Sequence, residues 1–252
     1  MAIQKTEAIV LKTMPFRSSS LIITFFTRSF GKLRGLAKGV RQENQTRAAV
    51  FELFTGLEII FYEKTRSELH LVSDAAILES YEALHGGLEG IAYASYFAEL
   101  VDELCEVHDP HERIFELLDF CYRYLASVPG QRLSHLFELK LFAEIGWLPY
   151  LNACLKCEAL SLESGFFSAR QGALLCSRCA GSVPDVKPIT AETLAAMRYY
   201  TRHSLEECLK LGMSHQTEEE LDFHLQRFLT DRVTKPIKSK IFLQKIKPLL
   251  PR

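Results

Sequence analysis

Four cysteines in two tight pairs carry the clearest chemical signal in this chain: Cys154-Leu-Lys-Cys157 and Cys176-Ser-Arg-Cys179. Two residues separate the members of each pair, and 18 residues separate the pairs. A two-residue gap lets one tight turn aim both sulfurs at a point about 2.3 Å from each, and two such turns complete a tetrahedron. The pattern predicts one structural Zn2+ per chain, because four thiolates fill the coordination sphere and leave no position for water. A redox Cys-x-x-Cys is the lesser rival, since a single catalytic pair would not need a second. Phe166-Phe167-Ser168 and Ala173-Leu174-Leu175, around Gly172, read as a hairpin that brings the second knuckle beside the first. Cys105, Cys121 and Cys208 lie in apolar helical patterns and read as small buried hydrophobes.

The second signal is charge. Arg28, Lys32, Arg34, Lys38, Arg41 and Arg47 fall within 20 residues, opposed only by Glu43. Lys32, Arg34 and Lys38 share one face of an alternating strand, with Phe25, Phe26 and Phe30 close in sequence. Cationic grooves with stacking aromatics hold single-stranded nucleic acid. The bland reading is a solvated edge strand decorated with lysine, its aromatics in the core. Net charge is −1, yet residues 1–47 carry +7, residues 48–231 carry −15 and residues 232–252 carry +7. Two basic ends flanking an acidic middle suggest an anionic partner at one or both ends.

Other constellations fail. Gly31-Lys32 lacks the earlier glycine and the following Ser/Thr of a phosphate-binding loop. His108-Asp-Pro-His111 is better explained as a helix start than as a metal site, with Asp109 as N-cap and Pro110 at the first position. Neither Gly-x-Ser-x-Gly nor His-Glu-x-x-His occurs, so nothing resembles an active site.

These residues need elements to position them. Residues 7–13, 21–27, 32–40, 54–62 and 68–77 read as five short strands, the last with Leu69, Leu71, Ala75 and Ile77 on one side. Residues 41–50 read as a polar loop. Five strands in this span suggest a small barrel, of which the OB-fold is the commonest nucleic-acid-binding type. After Gly86-Gly87 the period becomes helical. Tyr93, Phe97, Leu100, Val101 and Leu104 mark one stripe, and Ile114, Leu117, Leu118, Cys121 and Leu125 a second. A third, mostly apolar helix spans 133–147. Beyond the cysteines, helices are expected over about 190–202, capped by Thr190, and 217–233, opened by a Thr217/Glu220 capping box. The basic tail from Lys235, with Pro236, Pro248 and Pro251, reads as extended or frayed. The fold class is thus α+β: residues 1–80 an N-terminal five-stranded OB-fold barrel, residues 81–252 a helical domain with a zinc-binding element at about 150–182. No long apolar run suggests a membrane span, and no signal-peptide pattern begins the chain, so a cytoplasmic protein is expected.

In this order the pieces resemble the bacterial recombination mediator family RecO. Leu21 to Thr27, Gly31-Lys32 and Ala37-Lys38-Gly39-Val40-Arg41 resemble its barrel signature. Phe137-Glu-Leu-Lys-Leu-Phe-Ala-Glu-Ile-Gly-Trp-Leu-Pro149 followed by Cys154-x2-Cys157, then Phe167-Ser168, Gly172 and Cys176-x2-Cys179, resemble its central helix and zinc segment. Arg17-Ser-Ser-Ser20 stands where an acidic pattern is more usual, and Gln45-Thr46 where Lys-Ser is common. The resemblance implies binding of single- and double-stranded DNA and annealing of complementary strands. It also implies work with RecR, often RecF, to load RecA onto DNA coated by single-strand-binding protein, whose acidic C-terminal tail meets the helical domain. Such a mediator acts in the nucleoid and is not an enzyme. Arg28, Lys32, Arg34, Lys38, Arg41 and Arg47 are the expected DNA contacts, with Lys235, Lys238, Lys240, Lys245 and Lys247 a second basic surface. The alternatives are an adaptor bridging repair proteins with weak DNA binding and, more remotely, a zinc-ribbon transcription factor.

Overall fold

In the computed structural model, which describes residues 2–41, 45–64, 67–160 and 162–247, the N-terminal alternation becomes five strands. These are β1 (Ala2–Phe16), β2 (Ser20–Thr27), β3 (Gly31–Ala37), β4 (Gly56–Glu63) and β5 (Leu69–Glu79). β1, β2 and β3 form an antiparallel meander, β5 runs parallel to β3, and β4 pairs with both β5 and β1. The hydrogen-bonded order β1-β2-β3-β5-β4 therefore closes on itself, leaving no open edge between these strands. Val10, Ile23, Phe25, Leu33, Ile59 and Phe61 fill the interior. A Cβ on Gly35 would lie 2.6 Å from Val72 Cγ2 and 2.8 Å from Phe25 Cε2, so the closing pair β3–β5 can approach only over a glycine.

Two of the sheet's three register shifts decide which of these side chains face out. Pairing shifts between Val10 and Lys12 on β1, and between Ile60 and Phe61 where β4 meets β5. The second shift takes the β5 partners from Asp74 to Val72 and leaves Ser73 unpaired. The expected common face of Leu69, Leu71, Ala75 and Ile77 is therefore broken. His70 and Val72 are buried instead, Ala75 packs on the interior after the bulge, and Ile77 is 50% exposed. The expected loop at 41–50 contains a short helix, α1 (Gln45–Ala49), after which Phe51 packs edge-on against Phe25 with ring centroids 6.3 Å apart.

Helices α2 (Leu88–Leu104) and α3 (Glu112–Tyr124) follow. The α3 stripe of Ile114, Leu117, Leu118, Cys121 and Leu125 is buried as expected. Its start differs: the residue before the helix is His111, without a side-chain cap, and the Asp109 carboxylate lies 2.9 Å from His111 Nε2. Asp109-Pro110 belongs to a connection that runs alongside β3, where Val107 bridges Lys32 and the His108 N–H donates to the Lys32 carbonyl at 3.0 Å.

Residues Val128–Pro236 form a second compact unit. α4 (Gly130–Glu144) begins earlier than expected, right after Pro129, and is buried on nearly every side. β6 (Gly165–Ser168), β7 (Ala173–Leu175) and β8 (Val186–Ile189) make a small sheet in the order β7-β6-β8, with α5 (Ser177–Ala180) in the connection from β7 to β8. α6 (Ala191–Arg202), α7 (Leu205–Cys208) and α8 (His215–Thr230) complete the unit. Thr190 caps α6 as expected, accepting from the Thr193 N–H. The Thr217/Glu220 box does not form. Ser214 caps α8, the Thr217 hydroxyl donates to Glu192 at 2.8 Å, and Glu220 accepts from the Thr190 N–H at 3.0 Å. The capping box of this region is Ser204/Glu207, ahead of α7.

Over its described residues the tail is not extended. α9 (Lys238–Ile246) buries Leu243 and Ile246, and Ile237 just before it is buried too, in the first unit, which comprises Met1–Ser127 and Ile237–Arg252. Glu99 of α2 accepts from the N–H groups of Lys238 and Ser239 at 3.0 and 2.6 Å, supplying the acceptor that a helix N-terminus lacks internally. Pro248 and Pro251 lie outside the described residues. Packing thus groups α2, α3 and α9 with the five strands, whereas the division at residue 80 follows the change of secondary-structure period.

Candidate metal centre and nucleic-acid interface

The cysteine cluster is built by short-range bonds. In the first knuckle the Glu158 N–H donates to the Cys154 carbonyl at 3.0 Å, with Glu158 in the left-handed region at φ +57°. In the second the N–H groups of Cys179 and Ala180 donate to the Cys176 carbonyl, each at 3.0 Å. The β6–β7 hairpin joins the two, as its residues suggested, pairing Phe166 with Leu175 and Ser168 with Ala173. The Leu155 N–H donates to the Leu174 carbonyl at 2.8 Å, tying the first knuckle to β7. Gly172 closes the hairpin at φ +62°, where a Cβ would lie 2.8 Å from Phe228 Cε2. Behind the first knuckle, Arg198 of α6 donates from Nε and Nη2 to the Leu151 carbonyl at 3.0 and 2.6 Å.

The four sulfurs lie within 4.8 Å of one another. Cys157 Sγ and Cys176 Sγ are 3.7 Å apart. A tetrahedron with metal–sulfur bonds of about 2.3 Å has edges of about 3.8 Å, so the donor set fits a tetrahedral metal ion. Burial pushes the Cys154 thiol up, but N–H groups of Cys157, Cys176 and Lys156 aimed at its sulfur outweigh this and bring it down to about 6. Hydrogen bonding to Cys176 and Cys157 holds the Cys179 thiol up, to about 12. Hydrogen bonding thus pulls these thiols in opposite directions, Cys154 and Cys176 down and Cys179 up. The other cysteines behave as hydrophobes. Burial pushes the Cys105 thiol up to about 12 and raises Cys121 and Cys208 as well.

The six cations chosen from the sequence separate into two groups. Arg34, Lys38, Arg41 and Arg47 are exposed. Arg28 is half-buried and paired: Nε lies 3.1 Å from Glu7, Nη1 lies 2.9 Å from Glu112, and the guanidinium sits 4.6 Å from the Phe115 ring centroid. Lys32 is 13% exposed, and its ammonium donates to the Asp102 carbonyl, with the Asp102 carboxylate 3.7 Å away. Both cations are thus engaged by acidic side chains of the same unit. Phe25 and Phe26 are fully buried.

Strand register adds a cation that sequence spacing does not reveal. Lys12 pairs with Thr24, and Thr24 with Arg34, so Lys12 and Arg34 lie in one row across three strands. Lys12 faces out only because of the shift after Val10, which returns it to the outer face. The next outward row is Met14, Ile22 and Leu36. Lys12, Lys32, Arg34, Met14, Ile22 and Val107 line a cleft of about 360 Å³, together with Thr24, Glu68 and Asp102. The described helices include none long and apolar enough to cross a membrane.

Comparison with known proteins agrees with this layout. The N-terminal model of recombination protein O matches residues 1–81, and its C-terminal model matches residues 85–241. A protein named DNA repair protein RecO from Syntrophus aciditrophicus is 31% identical over 250 residues, spanning 97% of this chain and 96% of that protein. Another of the same name, from Anaeromyxobacter sp. (strain K), is 32% identical over 248 residues, spanning 98% of each. With both halves matched in order and the relatives aligned almost end to end, the chain belongs to the RecO family of DNA repair proteins.

Proposed function

We propose that this protein is a DNA-binding recombination mediator that anneals complementary single strands and helps load RecA onto DNA coated by single-strand-binding protein. The closed five-stranded sheet is read as an OB-fold, and the cysteine cluster as a structural Zn2+ site. The observation that carries the reading is the set of exposed cations Arg34 on β3, Lys38 and Arg41 after it and Arg47 on α1, extended across β2 by Lys12. Annealing needs no catalytic residue. It needs phosphates on two strands neutralised and held close while bases find partners. Arg28 and Lys32 are assigned a positioning role, since their charges are already met by Glu7, Glu112 and Asp102. RecR is the expected protein partner, with RecF a further one, and the acidic tail of single-strand-binding protein is assigned to the helical domain. Action within the cytoplasm, on the nucleoid, goes with this reading.

A second reading, an adaptor that touches DNA weakly, draws support from that same diversion of Arg28 and Lys32 to carboxylates. A fluorescence assay of strand pairing separates the two. The mediator accelerates pairing of arbitrary complementary strands in proportion to protein added. An adaptor leaves the spontaneous rate unchanged, and that result would overturn the proposal.

A further inference from the structure

The strand ring closes through a short seam, where Arg34–Ala37 on β3 pair in parallel with Leu69–Val72 on β5. β3 ends there, but β5 runs on to Glu79 with β4 beside it. Past the seam, the side of β5 that faced β3 has no strand partner among the described residues. Ser73–Leu78 thus form an edge about 20 Å long. Edges of this kind commonly carry lysine or proline, or lie under a loop or helix. This one reads Ser73-Asp-Ala-Ala-Ile-Leu78, with neither residue. Ala76 is exposed, and Ile77 and Leu78 are 50% and 56% exposed. The edge's one charge is used on its own backbone: the Ala75 N–H donates to the Asp74 carboxylate at 3.0 Å. At the start of the edge, where β3 leaves it, lies a cavity of about 180 Å³. Lys38, Val40, Arg47, Phe51, Asp74 and Ala75 are among the residues lining it.

We infer that the Ser73–Leu78 edge docks an extended segment of another protein, which joins the sheet as a strand beside β5. The inference stands apart from the DNA-binding reading. In an antiparallel pair alternate residues turn their N–H and C=O to the same neighbour. Every second residue of β5 past the seam therefore offers both groups to the open side. An incoming strand meets them with its own backbone and lays apolar side chains against Ile77 and Leu78. Charge sets what the segment carries at one end. Lys38 and Arg47 bring two positive charges to the cavity against one negative charge from Asp74, so a carboxylate of the segment is favoured there. A second copy of this chain is the poorer occupant. Two such edges meeting fall well short of the roughly 1,200 Å² of a stable interface. A short linear segment needs only its own length of strand.

The test pans a phage-displayed library of random peptides, about twice the length of the edge, on the full-length protein. Enriched peptides should lack proline over their central residues, place apolar residues at alternate positions and carry an acidic residue near one end. The strongest is synthesised with a fluorophore for anisotropy, and again with its even-numbered or its odd-numbered backbone amides N-methylated. Only one of these two sets faces β5. One methylated peptide should lose at least about tenfold in affinity, and the other less than about twofold. The double variant Ile77→Ser, Leu78→Ser should bind the parent peptide about tenfold more weakly. Its circular-dichroism melt and its affinity for single-stranded DNA should match the wild type. The inference is overturned if no peptide is enriched, if both methylation patterns act alike, or if the double variant binds the peptide as the wild type does. A wild-type dimer in sedimentation that the double variant turns into a monomer also overturns it, by giving the edge to a second copy. None of these results touches the DNA-binding reading, which the DNA affinity measures separately.

Discussion

Which cations meet DNA is decided by how each charge is already used, and this can be measured as a salt slope. Arg34, Lys38, Arg41 and Arg47 are exposed, whereas Arg28 and Lys32 are committed to Glu7, Glu112 and Asp102. Each phosphate contact with a single strand contributes about 0.7 to the slope of log K against log salt. Replacing the four exposed cations by alanine should therefore reduce the slope by about 2.8. Between about 50 and 200 mM salt, the wild type should lose about fiftyfold more affinity than the variant. Replacing Arg28 and Lys32 instead should leave the slope where it is and lower the melting temperature, because the carboxylates facing them lose their partners. Fluorescence anisotropy with a labelled single strand, repeated across salt concentrations, gives both slopes. A pair variant that loses as much slope as two exposed cations, or a four-residue variant with native fold and unchanged slope, would refute the reasoning.

Three further outcomes are expected. Protein purified without added metal should contain about one zinc per chain, and Cys176→Ser should abolish this content, as seen by elemental analysis; metal-free native preparations would count against the site unless the zinc had been stripped. Gly35→Ala should destabilise the protein by about 1–3 kcal/mol, read from urea unfolding, because a methyl group there overlaps Val72 and Phe25. His224 is held below its ordinary pKa by burial, with Arg227 adding to this and Glu220 and the Pro188 carbonyl opposing it. The folded state then binds a proton less readily than the unfolded chain. Stability should be full above pH about 6.5 and fall as pH drops from there through the lower folded value. His224→Gln should flatten that part of the profile, and a variant retaining the wild-type slope would exclude His224 as its source.

The cysteine cluster was legible because its geometry is local. Two residues between cysteines and a hairpin between the pairs suffice to converge four sulfurs, and no distant residue is needed to place them. The helix stripes were legible for the same reason: a period of 3.6 is a property of one segment. Strand faces were harder, because one unpaired residue reverses every side chain beyond it. The bulge at Ser73 buries His70 and Val72 in place of Leu69 and Leu71, and the shift after Val10 brings Lys12 on to the outer face. Capping signals misled where their residues were taken by other elements. Thr217 and Glu220 look like a box in sequence, yet they bond to Glu192 and Thr190.

By itself the sequence determined the α+β order of elements, the cluster of four cysteines, the family and the presence of a basic N-terminal strand. Tertiary structure alone decided which of those basic residues remain available. Arg28 is met by Glu112, 84 residues away, and Lys32 by Asp102, 70 residues away. The tail becomes a helix because Glu99 supplies its missing acceptors from 139 residues upstream. The physical reason is common to these cases. A charge or a helix end settles with whichever partner the folded chain brings within a few ångströms, and that distance is not written in the spacing of neighbouring residues.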